Sequence, residues 1–197
     1  MRIQTLATIA LLPGAGFAQI PNPGFMAPDT VFEAPGVPAP DQVNATDVLF
    51  AQLNAAGGLA EVALGELAAD RAQSPAVADF ARRMIDDHGA ANDALAALAT
   101  ERDIALPDAL NTGHQAMLAR LEAVEEADFD LAYMRAQVIT HQKAALLLMG
   151  AADRQNAGLI QFATATLPVV LDHLHMAQDI VADLALAQVA GMPEAPE

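Results

Sequence analysis

The chain has 197 residues and a formal net charge of −16, and 54% of its residues are hydrophobic although only 4% are aromatic. So acidic a chain is poorly suited to bind a nucleic-acid backbone or an anionic membrane surface, and neither is expected as a partner. The sequence contains no cysteine, which excludes a disulfide framework, a lipid-anchored cysteine and thiol catalysis.

The N-terminus has the pattern of an export signal. Arg2 is the only early charge, residues 3–17 are mostly apolar, and residues 16–18 (GFA) resemble a small-x-small cleavage site. The sequence therefore predicts a signal peptide over residues 1–18, cleavage after Ala18, and a periplasmic or secreted protein without a further membrane span. An uncleaved signal that stays as an anchor is the alternative.

Two further segments flank the predicted domain. Residues 19–43 are rich in proline and contain few long apolar side chains, which favours a disordered or polyproline-like leader. Residues 191–197 form a short acidic tail. Neither segment carries residues that point to chemistry.

Four stretches carry apolar residues at alternating spacings of three and four, which is the pattern of a helix with one buried stripe. They predict long helices over about residues 44–72, 75–102, 127–152 and 157–189. Because two of the links are short, each joins antiparallel neighbours, and the sequence predicts an all-α antiparallel four-helix bundle over residues 44–190. A short extra helix, capped by Asn111 or Thr112, is expected in the longer crossover between the second and third long helices.

Local signals limit or interrupt these helices. Ser74 is expected to cap the second long helix with its hydroxyl, and Pro75 suits the first helical position because its missing N–H costs nothing there. The pair 57–58, both glycine, marks a kink or a close approach to a neighbouring helix. Pro168 lies inside the fourth long helix and is expected to kink it.

Three of the five histidines fall on the apolar stripes of three different long helices. His88 lies on the second, His141 on the third and His173 on the fourth. The first long helix offers Glu61, one position away from its stripe.

Counting residues from each link places these positions along the helix axes. His88 lies about as far after the first link as Glu61 lies before it, so an antiparallel hairpin brings them to one level. In the second hairpin His141 faces the neighbourhood of residue 168, which leaves His173 about 7 Å further along the axis. A kink at Pro168 would change that offset.

Imidazole and carboxylate groups from facing helices are how helical bundles hold transition metals. The sequence therefore predicts one metal ion in the interior, with four ligands: Glu61, His88, His141 and His173. Three residues are candidates for contacts that orient these ligands: Asp87, Tyr133 and Asp172. The alternative is a set of buried polar groups that bond to one another or to water, without a metal.

A ferritin-type di-iron centre is not expected, because such centres use two Glu-x-x-His pairs. Apolar residues stand three positions before each of the three stripe histidines: Ile85, Val138 and Val170. The remaining histidines, His114 on the crossover and His175 off the stripe, are interpreted as surface residues. No phosphate loop, nucleophile elbow or zinc-protease pair occurs, so the protein is predicted not to be an enzyme.

Short motifs in all four long helices combine into one pattern over about residues 44–188. They are Gly57–Val62 with Leu64-Gly65, Ser74-Pro75 with Phe80-Ala81 and Met84–His88, Phe129-Asp130 with Tyr133 and His141, and Thr166–Pro168 with His173-Leu174. With these motifs the chain resembles the bacterial exported proteins of the domain of unknown function 4142 family. The resemblance implies an exported, ferritin-like four-helix bundle without an established activity. Residues 129–149 are also similar to a related family of exported helical proteins with paired histidines, although Gln142 replaces the second histidine.

Two functional hypotheses follow. The first is an exported binding or stress-related module with a mononuclear metal site. The second is a structural or partner-binding bundle whose histidines form an internal hydrogen-bond network. A homo-oligomer is compatible with both, and an oxidase or ferroxidase would need two metal ions.

Overall fold

The computed structural model describes residues 43–153 and 156–190, apart from the side chains of residues 152 and 153. This part of the chain forms helices and no strand, as predicted. The α-helices are α1 (Ala45–Arg71), α2 (Pro75–Glu101), α3 (Thr112–Glu122), α4 (Glu126–Met149) and α5 (Ala157–Ala190), with a 3₁₀ turn at Gly150–Asp153. The predicted signal peptide, the leader up to residue 42 and the tail 191–197 lie outside the described residues.

The helix ends agree with the sequence patterns to within three residues, but one predicted cap is wrong. Asn44 caps α1 in a capping box with Asp47, and Asn111 caps α3. Ser74 precedes α2 without a side-chain cap. Instead its backbone N–H donates to Asp130 Oδ2 over 2.7 Å, so a carboxylate of α4 holds the link between α1 and α2.

The four long helices pack side by side. α1 packs along α2 and α4 packs along α5, while α2 also meets α5 and α1 meets α4. The apolar residues form two clusters, one near the end where α2 and α4 begin and one near the opposite end. The clusters show that the partners within each hairpin are antiparallel, as predicted from the short links.

The candidate polar residues lie between these two apolar clusters on every long helix. On α2, for example, His88 lies between Met84 of one cluster and Leu95 of the other. On α5, His173 lies between Val170 and Ala177 in the same way. The bundle therefore has a polar layer in its middle with a hydrophobic layer on each side.

The short helix α3 is tied to the bundle at its C-terminal end. Arg71, the last residue of α1, donates to the carbonyl oxygens of Leu121, Glu122 and Val124. Its guanidinium also lies over the Phe129 ring, 4.4 Å from the centroid. These contacts hold the crossover against α1 and the start of α4.

The two adjacent glycines of α1 have different surroundings. A Cβ built on Gly57 would meet no other atom within 4 Å, whereas one on Gly58 would lie 1.9 Å from Asn92 Oδ1. Gly58 is therefore the residue that leaves room for the Asn92 side chain of α2, and α1 continues through both glycines without ending.

Two of the helices, α1 and α5, are long and apolar enough to cross a bilayer by length and composition. A helix in the core of a bundle passes the same test, and half of the apolar window of α1 is buried inside the structure.

Helix α5 continues through Pro168.

Candidate metal centre

The structure brings three histidines from three helices into one buried cluster. One ring nitrogen each of His88, His141 and His173 lies within 4.8 Å of the corresponding nitrogens of the other two. The ring centroids are 5.4 to 5.5 Å apart. His141 and His173 are fully buried and His88 is 8% exposed.

The axial offset expected between His141 and His173 does not keep their imidazoles apart, since the ring centroids are 5.4 Å from each other. Helical side chains lean toward the N-terminal end of their own helix. Since α4 and α5 are antiparallel, His141 and His173 lean toward each other along the axis. The 3₁₀ turn Gly150–Asp153 adds to this, because it rises about 2.0 Å per residue instead of about 1.5 Å and so lengthens the α4 side of the hairpin.

Hydrogen bonds determine which nitrogen of His141 carries its proton. His141 Nδ1 lies 3.0 Å from the carbonyl oxygen of Gln137, one turn earlier in α4. A carbonyl oxygen can only accept, so Nδ1–H is the donor. A neutral His141 therefore presents a lone pair on Nε2, which faces the cluster.

The carboxylate of Asp87 determines which nitrogen of His173 carries its proton. Its Nε2 lies 2.9 Å from Asp87 Oδ2, and Arg83 Nε donates to the same oxygen over 3.2 Å. Burial opposes ionisation of Asp87, but the hydrogen bonds from His173 and Arg83 outweigh it and hold the pKa of Asp87 below its usual value. Asp87 therefore accepts the proton of His173 Nε2–H, and the buried His173 Nδ1 keeps a lone pair that has no hydrogen-bond partner among the described residues.

His88 completes the cluster from α2. Its Nε2 lies 3.4 Å from Nε2 of His141. Burial lowers the pKa of His88 from 6.5 to about 4, and burial also lowers the pKa of His173. Both rings are therefore neutral at physiological pH, which is the form in which histidine binds metals.

Glu61 lies beside this cluster without joining it. Its Oε1 is 4.0 Å from His141 Nδ1, the ring nitrogen that also faces the carbonyl oxygen of Gln137. Glu61 is only 6% exposed, and its Oε2 has no hydrogen-bond partner among the described residues. The four predicted ligands thus separate into three clustered imidazoles and one neighbouring carboxylate.

The three predicted orienting residues have different positions. Asp87 contacts His173 directly, whereas Asp172 is exposed on α5 and makes no described contact with the cluster. Tyr133 is buried near Glu61, and burial together with the charge of Glu61 raises the pKa of the phenol. Of the two histidines interpreted as surface residues, His175 is exposed and His114 is half-buried.

Sequence reasoning missed Gln137 and Arg83, which act one step away from the histidines. Each stands four residues before the residue that it contacts, Gln137 before His141 and Arg83 before Asp87. The signal was present, because residues four apart lie on one helix face. For Arg83 the side chain carries this signal, whereas Gln137 acts through its backbone carbonyl oxygen, which any residue at that position would supply.

A cleft of about 630 Å³ reaches the cluster from outside. It lies beneath α3, where that helix crosses α1 and α4, and His88 and Glu61 are among its lining residues. The histidine cluster is therefore buried and still connected to the exterior on its His88 side. A small ion or molecule has a path to it.

Comparison with known proteins supports the fold and identifies the family. No curated protein matches the chain. A solved structure described as the crystal structure of a DUF305 fragment from Deinococcus radiodurans is similar, with a TM-score of 0.66 and 13% sequence identity, over 72% of this chain and 99% of that one. At this identity the similarity shows the helical fold alone. The family model described as "Domain of unknown function (DUF4142)" matches residues 32–180, and the chain therefore belongs to that family.

Proposed function

We propose that this protein is an exported metal-binding module that holds one transition-metal ion between His88, His141 and His173. The observation that carries the proposal is the approach of three buried imidazole nitrogens, from three helices, to within 4.8 Å of one another. Neutral imidazole is the commonest protein ligand for zinc and copper ions.

The spacing of the nitrogens supports this proposal. With metal–nitrogen bonds of about 2.0–2.1 Å, two ligands of a tetrahedral site lie about 3.4 Å apart. The Nε2 atoms of His88 and His141 are 3.4 Å apart. The third nitrogen needs to move inward by at most about 1.4 Å from the 4.8 Å limit, which is within the reach of a side-chain adjustment.

The hydrogen bonds around the cluster also suit a metal. His141 and His173 each use one nitrogen to donate to an oxygen, which fixes the ring and leaves the other nitrogen with a free lone pair. The carboxylates of Asp87 and Glu61 offset the charge of a divalent ion, which lowers the cost of burying that charge. Three protein ligands leave a fourth position, which the cleft supplies with water or another small ligand.

We further infer a non-catalytic role and a ferritin-like arrangement of the bundle. The clustered histidines lack the Glu-x-x-His partners that a two-metal oxidation site uses, since Ile85, Val138 and Val170 stand three residues earlier. The crossover runs back along the bundle, so that α2 and α4 begin at the same end. The export proposal depends on residues 1–18, whose composition is that of a signal peptide.

The test measures metal stoichiometry in the full chain. The protein is stripped with a chelator and dialysed against Zn²⁺ or Cu²⁺, and bound metal is counted by mass spectrometry. We expect about one ion per chain in the wild type, loss of that ion in His141→Ala and its retention in His175→Ala, which removes an exposed histidine of the same domain. Metal-free wild type, or equal metal in both variants, would reject the proposal.

The second candidate is a metal-free bundle in which the histidines bond to one another. The contact of 3.4 Å between His88 and His141 supports it, because His88 Nε2–H could donate to the lone pair of His141. In that case His88→Ala lowers the free energy of unfolding by about 1–3 kcal/mol through unpaired polar groups, and added metal has no effect. Thermal unfolding with and without Zn²⁺ separates the two candidates.

A further inference from the structure

The cleft beneath α3 has the features of a binding site for an organic molecule. Its volume of about 630 Å³ is within the range of small-molecule sites, about 300–1,000 Å³. Apolar side chains from α1, α3, α4 and α5 form much of its lining: Leu53, Met117, Leu147, Leu148, Phe162 and Val170. Such a wall suits an apolar body and excludes a bare inorganic ion as the natural occupant.

The charges around the cleft are opposite to those of the whole chain. The chain has 25 acidic and 9 basic residues, and Lys143 is its only lysine. The lining nevertheless contains Lys143, Arg120 and a single carboxylate, that of Glu61. Lys143 and Arg120 are both exposed, and no described carboxylate lies within ion-pair distance of either.

The positions of these groups indicate the orientation of a ligand. Glu61 and His88 are buried at the inner side, whereas Lys143 and Arg120 are exposed at the rim. His114 also lines the cleft, and its buried Nδ1 has no hydrogen-bond partner among the described residues. An anionic group near the rim would find cationic side chains there, whereas the carboxylate of Glu61 is buried at the inner side.

We propose that this cleft binds a small amphiphilic carboxylate, with the carboxylate at Lys143 and Arg120 and the apolar body against Leu53, Met117 and Phe162. Cationic side chains bind carboxylates through short, charge-assisted hydrogen bonds. The site does not require a metal ion, because its anchoring cations are not ligands of the histidine cluster.

The chain offers a way to fill the cleft without disturbing its walls. Gly57 lines the cleft, and a Cβ at this position would meet no other atom within 4 Å. A leucine there extends into the cleft, and helix α1 tolerates it because leucine is a better helix former than glycine. Gly89 is the matched control, since it lies in α2, has the same open surroundings and does not line the cleft.

The experiment titrates the chelator-treated full chain with octanoate by calorimetry, and octan-1-ol serves as the uncharged probe. We expect octanoate to bind, octan-1-ol to bind about tenfold more weakly, and Gly57→Leu to weaken octanoate binding about tenfold while Gly89→Leu leaves it unchanged. Lys143→Met should weaken octanoate binding as well, and Arg135→Met, which removes an exposed charge of the same helix outside the cleft, should not.

Three results would overturn the proposal. The first is that the wild type does not bind octanoate. The second is that Gly57→Leu and Gly89→Leu bind octanoate with equal affinity. The third is that the wild type binds octanoate and octan-1-ol with equal affinity. Because the titration uses metal-free protein, none of these results bears on the metal site, and failure of the metal test leaves this one intact.

Discussion

The adjacent glycines of α1 allow a sharp test of how closely α1 and α2 pack. Alanine replaces each glycine in turn, as Gly57→Ala and Gly58→Ala. The contact matters for the site, because Gly58 lies one turn before Glu61 and Asn92 lies one turn after His88. The same stretch of interface thus positions both the carboxylate and the histidine.

The structure predicts different effects for the two variants. Alanine in a helix interior is favoured over glycine by about 1 kcal/mol, and at Gly57 nothing opposes this gain. At Gly58 the new Cβ would lie 1.9 Å from Asn92 Oδ1 and 2.9 Å from its Cγ, so the Asn92 side chain must move. Because Asn92 is only half-buried and the atoms met are at the end of its side chain, the cost is at the low end of overpacking, about 1 kcal/mol, which offsets the helix gain.

The free energy of unfolding is measured by urea denaturation, followed by circular dichroism. We expect Gly57→Ala to be about 1 kcal/mol more stable than the wild type and Gly58→Ala to be about 1 kcal/mol less stable than Gly57→Ala. When Asn92→Ala is combined with Gly58→Ala, the stabilisation expected from alanine in a helix should return. A double-mutant cycle then gives the coupling energy between positions 58 and 92. Equal stabilisation by both alanines, with no coupling to Asn92, would refute the contact between position 58 and the Asn92 side chain.

Three further predictions concern the polar groups. In metal-free protein, burial lowers the pKa of His88 from 6.5 to about 4. This group therefore lowers the free energy of unfolding of the wild type by about 3 kcal/mol as the pH falls from 6.5 to about 4. His88→Gln should remove this part of the loss on acidification. Asp87→Asn should weaken metal binding about 10–100-fold in a chelator competition, because the ring of His173 loses its carboxylate partner. Asp130→Ala should lower the free energy of unfolding by about 2–3 kcal/mol in urea denaturation, because the backbone N–H of Ser74 loses its acceptor.

Each of these predictions has a control on the same helix or of the same residue type. For the first, His175→Gln should keep the pH dependence of the wild type, and equal slopes in both variants would contradict the assignment to His88. For the second, Asp86→Asn removes an exposed carboxylate next to Asp87 and should leave the metal affinity unchanged. For the third, Asp128→Ala at an exposed position of α4 should cost less than Asp130→Ala.

The helices could be predicted closely because their signals are local. Asn44 and Asn111 cap the helices that their positions in the sequence suggest, and Pro75 stands at the start of α2. The cap assigned to Ser74 is wrong for a non-local reason. The carboxylate of Asp130 reaches the backbone N–H groups of Gln73 and Ser74 from a different helix, a partner that no local pattern identifies.

The histidines could be assigned to the interior from helical spacing, but their distances could not. Counting from the links treated each side chain as if it lay at the level of its own Cα atom. The lean of His141 and His173 toward the N-terminal ends of antiparallel helices removes the expected gap. For Glu61 the count from the first link gave a partly correct result. Glu61 does lie beside the cluster, with Oε1 4.0 Å from His141 Nδ1, but it is not one of the three clustered ligands.

The sequence by itself determined, to within three residues, where the helices begin and end, and that three of the helices each turn one imidazole toward the interior. It could do so because capping, helical period and polarity depend on neighbours within a few residues. Only the tertiary structure decided which nitrogens meet, which carboxylate orients His173, and that a cleft with a cationic rim reaches the cluster. These properties depend on side-chain directions and helix separations between residues that are far apart in the chain, which spacing along one helix does not encode.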